Sequence, residues 1–235
     1  MTLVMFDVDG TLTHSNELDT HCFVQAIEEV FGFTGIDEDW SRYTHTSDAG
    51  ILEELFQHRL GRSPTTTEIE TYRPHFLQLL GAGLQQTPMH ELAGAGDILN
   101  TLATHPDFAV SLASGAWRDS ARAKMLSAGL PFDRFPGAFS EDAPARTDIM
   151  LASQSHAAQR HQRAGFDQWV YFGDAVWDAR ACAELGVPLI GIGCGEQAEK
   201  LRRAGAFAVF SDYSAPEAIM AAIERAARSG ATKLS

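Results

Sequence analysis

One stretch, residues 3–13, constrains this chain more than any other: Leu-Val-Met-Phe-Asp-Val-Asp-Gly-Thr-Leu-Thr. Its four apolar residues, Leu3, Val4, Met5 and Phe6, form a short run of the kind that makes a fully buried strand. Two carboxylates, Asp7 and Asp9, follow, and then Gly10, which lets the backbone turn sharply. Alternation along a strand places Asp7 and Asp9 on the same side. Two carboxylates at the end of a buried strand are costly unless a metal ion or a shared proton neutralises them. A polar strand end facing water is the plainest alternative. A calcium loop also opens Asp-x-Asp, but it requires Gly at its sixth position and Glu at its twelfth, where this chain has Leu12 and Leu18.

The chain has 235 residues, enough for a large domain or a core with an insertion. Its texture, 45% hydrophobic and 21% charged, is that of a soluble globular protein. A net charge of −13 argues against nucleic acid or an anionic membrane as main partner. It does not exclude a small anionic substrate, because a local metal outweighs the global field. Cys22, Cys182 and Cys194 form no Cys-x-x-Cys pair and read as buried reduced thiols. No basic leader with an apolar core precedes the first strand, and no apolar run reaches membrane-spanning length; the expectation is a cytoplasmic protein. Oligomeric state is not legible.

After Thr13 the texture becomes helical. Residues 16–31 carry Phe23, Ile27, Val30 and Phe31 at helical spacing, and Gly32 ends them. Residues 47–60 repeat the pattern. Thr65 and Glu68 form a capping box for a third helix, which Pro74 should kink and Gly81 and Gly83 should end. From Glu91 onward strands and helices alternate. Strands are expected at 108–113, 135–139, 169–172, 187–192 and 206–210. Helices are expected to end near 102 and to span 117–128, 147–162, 175–185 and 195–204, with a last one capped by Ser214 and Glu217. This alternation implies an α/β fold, a Rossmann-like doubly wound parallel sheet. The first strand belongs to that sheet, so the organisation is a core of 1–14 and 86–235 with an inserted all-helical cap of 15–85.

Ligands of open α/β sheets bind beyond the carboxyl ends of the strands. The first strand delivers Asp7, Asp9 and Thr11 there, and the second Ser114 and Gly115. Arg146 opens a helix after the third. Asp174, and Asp178 one turn on, follow the strand at 169–172. Asp7, Asp174 and Asp178 are hard oxygen donors with no His or Cys beside them, which suits Mg2+. Ser114 can donate to a phosphoryl oxygen, and Arg146 can pair with the same group. With that anion balanced, Asp7 can attack phosphorus. Asp9 can protonate the leaving oxygen and later take a proton from water.

This set resembles the haloacid dehalogenase superfamily, specifically its phosphatases, along nearly the whole chain. The Asp-x-Asp-x-Thr motif is matched by Asp7, Asp9 and Thr11, the strand-end Ser or Thr by Ser114, and the helix-opening Lys or Arg by Arg146. Gly-Asp-x-x-x-Asp is matched by Gly173, Asp174 and Asp178. Arg146 stands in Ala-Arg-Thr, where many relatives have Lys before Pro. The resemblance implies that the Asp9 backbone carbonyl also ligates the metal and that the helical segment is the family's smaller cap, of the phosphoglycolate phosphatase and β-phosphoglucomutase type. It implies a phosphomonoester hydrolase of a small phosphorylated metabolite, working through an aspartyl-phosphate. A phosphoglucomutase-like phosphotransferase shares all four motifs and stays open. A catalytically silent binding or regulatory protein would have no need of so strained an acid set. Carbon–halogen hydrolysis is disfavoured because Asp9 is present. Phosphonate cleavage is disfavoured because Lys124, Lys200 and Lys233 all lie outside the cap.

Weaker signals have plain readings. Thr46, Ser47 and Asp48 open a cap helix and can face substrate, although Ser47 also reads as an ordinary N-cap. Trp177 can wall the cleft or simply pack. The run Gly191, Gly193, Gly195 is a turn first. His156 and His161 are poorly spaced for a shared metal. No P-loop lysine and no Gly-x-Ser-x-Gly elbow are present.

Overall fold

In the computed structural model, which describes residues 1–230, Thr2–Phe6 forms β1, the strand around which the sheet is built. The other strands are β2 (Phe108–Ala113), β3 (Gly137–Ala138), β4 (Trp169–Gly173), β5 (Leu189–Ile192) and β6 (Ala208–Phe210). All pair in parallel, in the order β3-β2-β1-β4-β5-β6. The chain leaves β1 toward β2 and β3, then returns to β4 on the other side. The crevice where the winding reverses therefore opens between β1 and β4, the usual ligand position in such sheets. Phe6 is in register with Phe172, and the Asp7 N–H donates to the Phe172 carbonyl at 2.9 Å. Asp7 and Asp174 thus leave neighbouring strands at nearly the same height.

Alternation sorts β1 onto two cores. Val4 and Phe6 pack with α4 (Ala95–Thr104), α5 (Arg118–Ser127) and α9 (Pro216–Gly230). Leu3 and Met5 pack with α6 (Arg146–Arg160), α7 (Val176–Leu185) and α8 (Gly195–Arg203). Between β1 and β2 the chain inserts α1 (Asn16–Phe31), α2 (Asp48–Leu60) and α3 (Thr66–Gln86), which share a third core containing Phe23, Phe56, Tyr72 and Phe76. The entering and leaving linkers are short and lie side by side, with the Leu92 N–H on the Leu12 carbonyl at 2.9 Å. Trp117, from the core side, is buried in this third cluster, with the Arg73 guanidinium 4.5 Å from its ring centroid. Among the described residues no helix is long and apolar enough to cross a membrane.

Several expectations need correction. α3 runs unbroken through Pro74, Gly81 and Gly83. Tertiary packing overrides the local breakers: a Cβ on Gly83 would lie 2.6 Å from a Leu18 methyl, so this glycine lets α1 approach α3 closely. The third strand shrinks to two residues because it pairs only with Leu112 and Ala113 at the sheet edge. The last helix starts at Pro216, with proline in the first-turn position it favours. The Ser214 N–H instead turns back onto Asp212 at 2.8 Å. Cys22 and Cys182 are buried, but Cys194 is exposed, because it precedes α8 in the loop beyond β5.

Candidate active site

β1 ends at Phe6, and strand alternation ends with it, so Asp7 and Asp9 take different directions. Asp7 reaches the α6 and α7 side, where Arg146 Nη1 lies 3.3 Å from its Oδ1. Asp9 turns toward Lys124 on α5, 2.7 Å away, and accepts a hydrogen bond from Ser15. Between them Val8 is buried in the α4/α5/α9 core. Gly10 has a φ of +68°, and a Cβ there would collide with the Asp174 carboxylate and Asn16. The tight turn is thus what lets Asp174 approach the β1 loop.

Asp7, Asp174 and Asp178 each offer a carboxylate oxygen, and these oxygens all lie within 4.8 Å of one another. Arg146, first residue of α6, spans the cluster. Its Nε stands 3.5 Å from Asp178 Oδ1, and neither atom has a hydrogen-bond partner although both are buried. Asp178 is held from its other oxygen by the Ala175 N–H at 3.1 Å. Asn16 Nδ2 donates to Asp174 Oδ2 at 3.1 Å, and the Gln197 amide donates to the Asp174 backbone carbonyl. A triad of hard oxygens, two of its acids buried and Asp174 half-buried, beside orphaned polar atoms has the donor chemistry and packing that a hard dication fits.

The charges strain one another. Burial raises the Asp7 carboxyl above its usual range, with Arg146 pulling it down and Asp9 pushing it up. Asp174 is raised well above, by burial first and then by Asp178 and Asp7. Asp178 is pushed up to about 7 by burial, against the pull of Arg146. Burial disfavours the Arg146 cation, yet the surrounding acids hold its guanidinium above its ordinary range.

Above the cluster lies a cavity of about 1040 Å³ between core and cap. Asp7, Asp9, Ser114, Gly115, Arg146 and Asp174 line it from the core, Thr46 and Asp48 from the cap, and Trp177 forms part of its wall. Gly115 is obligatory in this packing: a Cβ would sit 2.9 Å from the Thr46 carbonyl oxygen and 3.1 Å from Arg146 Nη2. Ser47 does not line the cavity. It caps α2 through the Gly50 N–H and donates to the Pro144 carbonyl at 2.6 Å, docking cap on core. Asp48 accepts the Trp117 N–H at 2.8 Å. Thr11 does not reach the cavity either; it is fully buried and its hydroxyl has no partner. The turn at Gly10 carries Thr11 into the core, where its carbonyl accepts the Tyr213 hydroxyl at 3.1 Å. His156 and His161 hold no common site: the first meets the Gly137 carbonyl, the second the Phe166 ring. Lys233 lies outside the described residues.

Sequence reasoning passed over Asn16, Asp19, Lys124 and Gln197. Lys124 had a signal: it falls on the buried stripe of α5 beside Ala121 and Met125, where an apolar residue belongs. Asn16 and Gln197 had none, since only the fold brings them to Asp174.

Solved structures of similar fold agree with this architecture. A hydrolase from Pseudomonas syringae superposes with a TM-score of 0.70 at 22% identity, over 97% of this chain and 100% of that one. CbbY from Rhodobacter sphaeroides, in complex with phosphate, gives 0.70 at 18% identity over 94% and 98%. A mutant of CbbY from the same organism, in complex with xylulose-(1,5)bisphosphate, gives 0.67 at 16% over 91% and 95%. At these identities the likeness is one of fold. No curated protein matches the chain in sequence. The family profile of the haloacid dehalogenase-like hydrolases, however, matches residues 1–186, and with its four strand-end motifs gathered around one crevice the chain belongs to that family.

Proposed function

We propose that the chain is a Mg2+-dependent phosphatase that hydrolyses a small phosphorylated metabolite through an aspartyl-phosphate on Asp7. The observation that carries the reading is the cluster of Asp7, Asp174 and Asp178 at the floor of the cavity, with Arg146 set between Asp7 and Asp178. Asp7, Asp174, Asp178 and the Asp9 backbone carbonyl would hold the ion, which supplies charge balance for the phosphoryl oxygens. Arg146, Ser114 and Gly115 hold the phosphoryl group. Asp7 Oδ attacks phosphorus, the ester P–O bond breaks, and Asp9 gives its proton to the departing oxygen. Asp9 then takes a proton from water. The water oxygen bonds to phosphorus, and the Asp7–phosphorus bond breaks. Thr11, which the family motif also implicates in phosphate binding, acts from behind this wall by shaping the turn.

The proposal divides the chain into a core of 1–14 and 86–235 and a cap of 15–85, supported by the separate apolar core of α1, α2 and α3. Thr46 and Asp48, with Ser47 holding the helix start, present the cap to substrate and help exclude water.

Hydrolysis is favoured over the phosphoglucomutase-like alternative by the cationic groups of the cavity. Transfer of the aspartyl phosphoryl to a sugar phosphate makes a bisphosphate, which needs a second cationic seat. Besides Arg146, Lys200 is the one Lys or Arg among the described residues that lines the cavity, and it is paired with Glu196 at 3.1 Å. The test is release of inorganic phosphate from a panel of phosphorylated metabolites and 4-nitrophenyl phosphate, with isomer formation followed in parallel. The expected result is phosphate release that stops in excess chelator. Activity persisting in chelator, or isomer without free phosphate, overturns the reading.

A further inference from the structure

Lys124 is a fully buried lysine on a helix face otherwise given to core packing. Removing an ammonium from water costs several kcal/mol unless carboxylates close around it. Here two do. Its Nζ lies 2.7 Å from the Asp9 carboxylate and 2.6 Å from Asp19 Oδ1. The two acids come from different parts of the molecule: Asp9 from the loop after β1, Asp19 from the first turn of α1 in the cap. The Ser15 hydroxyl supplies a second donor to Asp9. Asp9 is therefore oriented from two directions, and its orientation is tied to the place of the cap. Packing alone does not call for this arrangement, since a methionine at 124 would fill the same stripe without burying charge.

We propose that Lys124 is a positioning residue for the hydrolytic reaction: it holds the Asp9 carboxylate in its reacting position and, through Asp19, couples that position to the seating of α1. This rests on the phosphatase reading given above. The chemistry gives the role a signature. A group that serves proton transfer to the departing oxygen matters for a basic alkoxide and little for a leaving group that departs without a proton.

The test compares benzyl phosphate with 4-nitrophenyl phosphate in the parent enzyme, Lys124→Met and Asp9→Asn, all loaded with Mg2+. Lys124→Met is expected to lose kcat by about 100-fold on benzyl phosphate and by less than about tenfold on 4-nitrophenyl phosphate, following the pattern of Asp9→Asn. Lys124→Arg, which restores a cation, should recover part of the benzyl phosphate rate. Equal losses on the two esters, or no loss, overturn the proposal. If Lys124→Met does not fold, Lys124→Gln, which keeps a donor without charge, carries the same comparison. If neither folds, Lys124 belongs to the fold and the proposal is overturned. Failure of the parent enzyme to release phosphate from either ester, or from the metabolite panel, counts instead against the phosphatase reading. An Asp9→Asn effect that Lys124→Met does not share counts against Lys124 alone.

Discussion

Two charge clusters start two residues apart, at Asp7 and Asp9, and in each a single cation lies between two carboxylates. In the first, Arg146 faces Asp7 at 3.3 Å and Asp178 at 3.5 Å, contacts too long to satisfy every atom. In the second, Lys124 meets Asp9 and Asp19 at 2.7 and 2.6 Å. The first is built wholly from the sheet's own helices and strand ends, and it is loose. The second joins core to cap, and it is tight. Loose geometry around buried charge is what a site for an anion and a dication requires, because the protein's groups must keep donors and acceptors for the ligand. Tight geometry suits a joint whose task is to hold a side chain and an interface in place. Charge alone does not tell the two apart; distance and unsatisfied atoms do.

The largest test of this contrast is Asp7→Asn. It should remove turnover by roughly 10³-fold or more while far-UV circular dichroism stays that of the parent, because the nucleophile is lost from a site held by the sheet. Unchanged phosphate release would remove Asp7 from the reaction. Next comes Arg146→Lys. A lysine is a point charge and cannot span two carboxylates with a fork, so kcat/KM should fall by about 100-fold. A loss within about threefold would mean that only the charge matters there.

The loose cluster also predicts a pH effect on the metal-free protein. The Asp178 carboxyl is pushed up to about 7 from 3.8, so between those values the folded chain holds a proton that the unfolded chain releases. Stability should therefore fall as pH rises from about 4 to 7, by on the order of a few kcal/mol, with Asp7 and Asp174 adding in the same direction. Thermal unfolding in chelator against pH measures this, and Mg2+ should reduce the slope to the part that Asp19 and Asp48, also raised by burial, contribute. A flat or rising profile would mean that the acids are not mutually strained. The smallest effect belongs to the cap contact at Ser47. Ser47→Ala loses an N-cap and the bond to Pro144, and should lower stability by about 1–2 kcal/mol in urea unfolding. A loss of benzyl and 4-nitrophenyl phosphate turnover in equal proportion would mark it as a cap-docking residue.

Much of this was legible in residue order. The strands at 108–113 and 169–172 and the helix at 16–31 stand out because each carries its own period and its own stops, and the structure places them within a residue of expectation. Asp7, Ser114, Arg146, Asp174 and Asp178 were nameable because each ends a strand or begins the helix after one, and a parallel sheet gathers such ends. The misses share a cause. Thr11 lies beyond the last residue of β1, where alternation no longer describes which way a side chain points, and it turns into the core while Asp9 keeps its place on the cavity. Pro74, Gly81 and Gly83 weaken a helix locally, but the packing of α3 on α1 outweighs them. The role of Lys124 is hidden because no local pattern shows that Asp9 and Asp19 meet it across more than a hundred residues.

By itself, the order of residues determined the doubly wound sheet, the helical insertion and the acids that cluster at the strand ends, because periodicity and turn chemistry are local and the parallel topology follows from them. Only tertiary structure decided which cation each acid meets, that Arg146 sits loosely and Lys124 tightly, and that Asp9 is tied to the cap. Those depend on ångström distances between segments far apart in the chain, and burial makes such distances worth several kcal/mol.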